Sequence, residues 1–467
     1  MRQGYTKRPE LLLPASNLEV LRTAVYYGAD AVYIGGSAYG LRAGARNFSP
    51  EDMRAGIDFA HKHGVRVYVT VNIFAHNEDM EGIAAYLREL EQMHPDALII
   101  SDPGVYELAC EHAPSIERHI STQANNVNYG TFLFWHKLGA KRVVCGRELS
   151  LAEIADIREK IPEDMEIEVF IHGAMCMAYS GRCLMSNYLT GRDANRGAYT
   201  HPCRWFYDAV DPASGEKVFA VEEKSRPGEV MEVVEDERGT SIFHSKDLCM
   251  IEHVPDLISA GIDSFKIEGR MKNALYVATV CRAYRDAIDT LLSRQSSSDA
   301  TGNYADHEED KMYRLTDSGL AGYQAKLDWY SEQVRSCTYR DFCTGFFYGQ
   351  PDENSQVYEG EAYHEGRTYL GIVGESCMSA GSAKTAVAEV SADIGSTEFR
   401  LEQKNKFSVG DKIEIMGFDG RDRRATVLSI SDIEGHPQPS APHAGQQLIV
   451  TLSEPARPGE ILRTSAE

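Results

Sequence analysis

Four cysteines, Cys176, Cys183, Cys203 and Cys249, are separated by six, nineteen and forty-five intervening residues. The spacing lacks the short C-x2–4-C knuckles of structural zinc. Four thiolates gathered at one point suit an iron–sulfur cluster, which takes four-cysteine ligation and tolerates irregular spacing. Four unrelated thiols packing as small hydrophobes is the alternative. The other six cysteines, Cys110, Cys145, Cys281, Cys337, Cys343 and Cys377, are scattered and read as core or loop thiols. The N-terminal MRQGYTKRPELLLPAS has no apolar signal core, and no apolar run is long enough to span a bilayer. A cytoplasmic location without membrane contact is therefore expected, where ten cysteines do not read as a disulfide framework.

Other polar residues cluster just past apolar runs. Arg42 and Arg46, in YGLRAGARNFS, form a pair suited to clamping carboxylates, or are exposed loop arginines. GRELS supplies Arg147 and Glu148, and KIEGR supplies Lys266, Glu268 and Arg270. Glu148, Glu268 and Lys266 are the catalytic candidates, with structural ion pairing as the alternative role. Arg147, Arg270, Asn72 and Gln123 join Arg42 and Arg46 as ligand-binding candidates, although the two amides would serve equally as turn caps. His172 is a group supporting a metal ligand or a core histidine. The net charge of −22 argues against a general polyanion-binding surface. Locally, Arg182, Arg192, Arg196 and Arg204 oppose only Asp193, with Tyr188, Tyr199, Trp205 and Phe206 nearby. That patch would hold phosphates and stack a splayed base, or is a solvated loop.

The elements that must position these residues follow from periodicity. Eight short apolar runs, beginning at Leu11, Ala31, Arg66, Ala97, Glu117, Lys141, Glu166 and Ser264, alternate with amphipathic segments that start on Ser or Asp and stop on Gly. The pattern predicts an α/β fold, a (β/α)8 TIM-like barrel over residues 1–294, with a doubly wound sheet as the alternative. Residues 174–250 form a cysteine-bearing excursion after the seventh strand, at the end of the barrel where active sites are built. Residues 295–310, polar and Ser/Asp-rich, read as a flexible linker, and 311–368 as a connecting segment. Over 369–467, short alternating runs predict a small antiparallel β-barrel, with TAVAEVS as one of its strands.

The stretch EVFIHGAMCMAYSGRCLMS resembles the signature of the collagenase-like peptidases, peptidase family U32, through Glu168, Phe170, Gly173, Cys176, Gly181, Cys183 and Ser186. ELLLPASNLEVLRTAVYYGADAVYIGG, HISTQANNVN, CGRELS, HSKDLCM, DSFKIEGRMK and CTGFFYG extend the similarity over most of residues 8–350. Members of that family hydroxylate RNA or ubiquinone precursors with a [4Fe–4S] cluster. Length and the appended β-barrel most resemble members that make 5-hydroxyuridine at the tRNA wobble position in a prephenate-dependent reaction. The resemblance implies Cys176, Cys183, Cys203 and Cys249 as cluster ligands, tRNA as partner, and prephenate, a dicarboxylate, as co-substrate for Arg42 and Arg46. It leaves open a peptidase, a hydroxylase of rRNA or of a ubiquinone precursor, and a maturation or binding partner without turnover; a homo-oligomer or a related-subunit complex is equally compatible. Against a peptidase, the chain has neither an H-E-x-x-H pair nor a G-x-S-x-G elbow.

Overall fold

The computed structural model describes residues 7–40, 47–175, 220–222, 230–232, 234–236, 239–241, 246–294, 313–350, 364–376 and 395–465. Strands β1 (Glu10–Pro14), β2 (Ala31–Ile34), β3 (Arg66–Val71), β4 (Ala97–Ile100), β5 (Glu117–Ile120), β6 (Arg142–Val144), β7 (Glu166–Ala174) and β8 (Ser264–Ile267) pair in parallel in chain order. β8 closes the ring by pairing with both β7 and β1. The barrel thus has the eight strands the alternating runs predict.

Helices α1 (Leu18–Tyr26), α2 (Pro50–Lys62), α3 (Met80–Met93), α4 (Pro103–His112), α5 (Tyr129–Lys137), α6 (Leu151–Lys160), α7 (Val254–Ser259) and α8 (Ala274–Leu291) cover the outside. Their starts are set locally. The Asn17 side chain accepts from the Val20 N–H, and Ser49 caps α2 ahead of Pro50. Ser150 and Glu153 bond each other's backbone N–H in a capping box. Helix α8 is buried over most of its length because a second layer covers it. That layer includes α9 (Asp317–Ala325) and α10 (Leu327–Arg335).

The chain returns from the excursion as a short strand, Asp247–Cys249, antiparallel to the end of β7, with Cys249 opposite His172. Phe342–Cys343 then adds in parallel, with Cys343 opposite Leu248.

In the C-terminal region β9 (Tyr369–Ser376), β10 (Ser396–Gln403), β11 (Lys412–Met416), β12 (Asp422–Asp432), β13 (Gln447–Ala456) and β14 (Ile461–Thr464) form an antiparallel barrel, closed by β11 on β12. TAVAEVS lies outside the described residues. The two barrels meet through α1 and α8. Tyr27 donates to the Met416 carbonyl at 2.7 Å, and Arg282 to Asp422 at 2.6 Å. Arg463 bonds Asp422 and Glu414 from the other side of this seam. No described helix is long and apolar enough to cross a membrane.

Candidate functional site

The first surprise lies inside the first barrel. Where such barrels usually pack branched aliphatic side chains, this one carries a chain of paired charges. Arg66 Nη2 lies 2.6 Å from Glu10, Glu10 lies 2.5 Å from Arg142, and Arg142 lies 3.1 Å from Glu168. Lys266 Nζ, 2.7 Å from Glu168, ends the chain at the mouth. Tyr68 and Ser264 donate further hydrogen bonds to Glu10. Burial alone would push the Glu10 carboxyl up, but the Arg142 and Arg66 guanidiniums override it and hold it well below the usual carboxylate range. Glu168 follows the same pattern, with Lys266 and Arg142 outweighing its burial. Neither charge can be stripped of its partner cheaply.

Above Lys266 a small cavity of about 50 Å³ opens at the C-terminal ends of the strands. Thr70 and Asn72 line it from the end of β3, Ser121 and Gln123 from the end of β5, Phe170 from β7, and Lys266, Glu268 and Arg270 from the end of β8. The Lys266 ammonium sits 4.5 Å over the Tyr33 ring and 5.4 Å from that of Phe170. Arg270 donates to Asn47 at 2.7 Å and to Thr70 at 3.2 Å. A side chain at Gly35 would overlap this guanidinium. Asn72 donates to Gln123 at 3.3 Å, joining two of the predicted amides.

Five of the sequence candidates, Asn72, Gln123, Lys266, Glu268 and Arg270, therefore line one cavity. Arg147 is committed elsewhere: it donates to the Ala174 carbonyl at 2.7 Å, stacks 4.0 Å over Phe170 and lies 3.6 Å from Glu268. Its role in the described geometry is to hold the end of β7 and the Glu268 carboxylate. Glu148 is not among the residues lining the cavity, and its carboxylate folds back against Gly146. Tyr33, Thr70, Ile99, Ser121, Thr122 and Val144, which the sequence did not single out, complete the wall.

Gly173, in the signature stretch, has φ +110°, and a Cβ there would come 2.5 Å from the Glu268 carbonyl oxygen. The backbones of β7 and the segment after β8 approach this closely only without a side chain. Gly173→Ala should accordingly cost at least about 1 kcal/mol and displace Glu268. A thermal melt unchanged from wild type would contradict it.

Cys249 lies at the rim. Its sulfur is 4.0 Å from the Tyr284 hydroxyl, which also receives the Met250 N–H at 3.0 Å. Burial pushes the thiol up to about 12, with the Ile251 N–H and Tyr284 opposing weakly. A thiol so placed stays protonated and inert unless a cation ionises it, as metal ligation does. The Ile251 N–H at the sulfur fits a bound thiolate, so the described part of the four-cysteine set is compatible with a cluster. Cys176, Cys183 and Cys203 lie outside the described residues, as do Arg42, Arg46 and the patch Arg182, Arg192, Arg196 and Arg204. His172, across the strand pair from Cys249, is buried among Tyr276, Tyr284 and Phe342, and burial pushes it down to about 4, so it is neutral near pH 7. Cys343, read from sequence as a scattered thiol, instead shares a cavity of about 150 Å³ with Cys249 and Arg335.

Comparison with known proteins agrees with the barrel and the signature. The model of peptidase family U32 matches residues 16–357, and that of the U32 C-terminal domain matches residues 383–463. The chain belongs to peptidase family U32. Within the family it is 38% identical to tRNA hydroxylation protein P1 of Bacillus subtilis, over 98% of this chain and 95% of that protein. It is 39% identical to tRNA hydroxylation protein P of Escherichia coli, over 94% and 92%. The 23S rRNA 5-hydroxycytidine C2501 synthase of Escherichia coli is 37% identical over 62% of this chain and 40% of that protein. Family membership covers both barrels.

Proposed function

We propose that this U32 protein hydroxylates RNA, with the wobble uridine of tRNA converted to 5-hydroxyuridine and prephenate as co-substrate. The observation that carries the reading is near full-length similarity to two proteins named for tRNA hydroxylation, with a third relative named for rRNA hydroxylation. Cys176, Cys183, Cys203 and Cys249 would hold a [4Fe–4S] cluster. That group supplies the redox chemistry that a uracil C–H, inert to acid–base side chains, requires.

The chain's own residues have narrower tasks. Lys266, fixed by Glu168, and Arg270, fixed by Asn47 and Thr70, present two cations at the mouth cavity. They suit a carboxylate, and the cavity has room for a polar head group rather than a whole ring. Asn72 and Gln123 orient the same group by hydrogen bonding. Phe170, Tyr33 and Ile99 keep the wall apolar and exclude water. Glu268, steered by Arg147, is the carboxylate placed to hold or accept a proton at the cavity edge. Arg42 and Arg46 would take the second carboxylate of prephenate, and the arginine patch the RNA phosphates.

The test is genetic and chemical together. In a strain lacking other uridine hydroxylases, deletion of the gene should remove 5-hydroxyuridine from tRNA digests, and a wild-type copy should restore it. An Arg270→Gln copy should keep its iron but bind prephenate about tenfold more weakly or worse, from the loss of a charge-assisted hydrogen bond. Undiminished hydroxyuridine after deletion would sink the reading. Casein or gelatin hydrolysis by the purified protein, with tRNA unchanged, would replace it with a peptidase.

A further inference from the structure

Helix α5 breaks the pattern of the other barrel helices. It turns Phe132 and Trp135 inward, yet leaves Phe134 54% and Leu138 47% exposed. Val127 and Tyr129, at its N-terminal end, are 40% and 45% exposed. Four of the ten large exposed hydrophobic side chains among the described residues thus fall in one twelve-residue stretch. A helix with large apolar side chains on both its inward and its outward face is normally covered on both. A contiguous exposed apolar patch marks an interaction surface.

Charge selects the occupant. The chain carries a net −22, and every other described α-helix holds at least one Asp or Glu. From Asn125 to Lys141 there is none, while Lys137 and Lys141 are present, and the Asp164 carboxylate beside the helix is taken up by His136 at 3.1 Å. Two copies of so acidic a chain meet with least repulsion where acids are missing. RNA is the poorer fit, because a polyanion needs clustered cations and flat stacking platforms. Here the ends of the stripe are aliphatic, at Val127 and Leu138.

The shape is self-complementary. Gly130, Phe134 and Leu138 recur every four residues and so share one face. Gly130 is exposed, and of its surroundings only the Asn128 side chain comes within 4 Å of where a Cβ would stand. The stripe therefore has a notch at one end and a leucine at the other. We propose that the protein is a two-fold homodimer held by the exposed face of α5. With the helices antiparallel about Phe134, each Leu138 enters the notch at the other copy's Gly130, and the two Phe134 rings meet on the axis. A stable interface of this kind buries on the order of 800 Å² per partner, so flanking surface of α4 and α6 joins the contact.

Sedimentation of the full chain at micromolar concentration tests this. Wild type should sediment at twice the chain mass of 51.9 kDa. Phe134→Glu and Leu138→Glu should sediment as single chains with unchanged thermal melts. Gly130→Leu should do the same although it adds apolar surface, because it fills the notch. Phe134→Cys should cross-link under mild oxidation as a dimer. A single-chain wild type, or a dimer surviving all three disruptive changes, overturns the proposal. So does a single-chain wild type whose Phe134→Glu variant loses tRNA binding, which would give the face to RNA. Hydroxylation activity is read separately, so failure of the dimer leaves the proposed function standing.

Discussion

Changing Cys249 to alanine is expected to lower the iron content of anaerobically purified protein and to reduce tRNA hydroxylation at least ~100-fold, more than loss of an outer group around a metal usually costs. The buried thiol, pushed up to about 12, cannot serve as a free nucleophile near pH 7, so any chemical role for it requires a cation to ionise it. Cys343→Ala makes the control. It removes the thiol that shares a cavity with Cys249 but is not one of the four proposed ligands, and iron should be retained. Visible absorbance and iron assay read both variants. Full iron and full activity in Cys249→Ala would end the cluster assignment.

Replacing Arg142 with methionine should destabilise the first barrel by about 3–5 kcal/mol, the cost of breaking a buried ion network from one side. Arg142 touches Glu10, Glu166 and Glu168, and all three carboxylates would be left in the interior around an uncharged side chain. The effect has a pH signature. In wild type the Glu10 and Glu168 pKa values lie below their ordinary value of 4.5. Their stabilisation is thus complete above about pH 4.5 and is lost as pH falls through the folded values. Without Arg142, burial dominates and raises at least one of these carboxyls. Protonation then relieves the interior, and the variant should gain stability as pH drops from 7 toward 5. Denaturant titrations at several pH values would show it. A variant whose stability stays flat over that range, as wild type's does, would contradict the account.

How much of this was legible depends on whether neighbours in sequence are neighbours in space. Eight strands, Lys266 at the end of β8 with Glu268 and Arg270 just after it, and an excursion following β7 could all be read locally, because strand periodicity fixes which residues face the mouth. Asn72 and Gln123 were found because they follow strands directly. Glu10, Arg66 and Arg142 were not, since a charge at the first residue of a strand looks like a solvated strand end. Only closure of the ring turns them inward onto Glu168. Cys343 was passed over because pairing with the strand of Cys249 joins positions far apart in sequence. Arg147 was read as a ligand group, and nothing local shows that its guanidinium also bonds Ala174 and stacks on Phe170.

The seam between the barrels bears on what happens when the chain is cut. Arg282 and Arg463 are fully or nearly fully buried and share Asp422, with Glu414 and Gln333 among their other acceptors. Two of these side chains come from one barrel and its outer helices, and three from the other. A fragment ending before β9 would keep the Arg282 guanidinium without its acid, on a face built to be dry. A fragment starting there would keep Arg463 and Asp422 opened to water. Neither half is a clean module. The second barrel is better regarded as a missing wall of the first, and attempts to shorten the protein for crystallisation or assay should trim its ends rather than divide it between the two barrels.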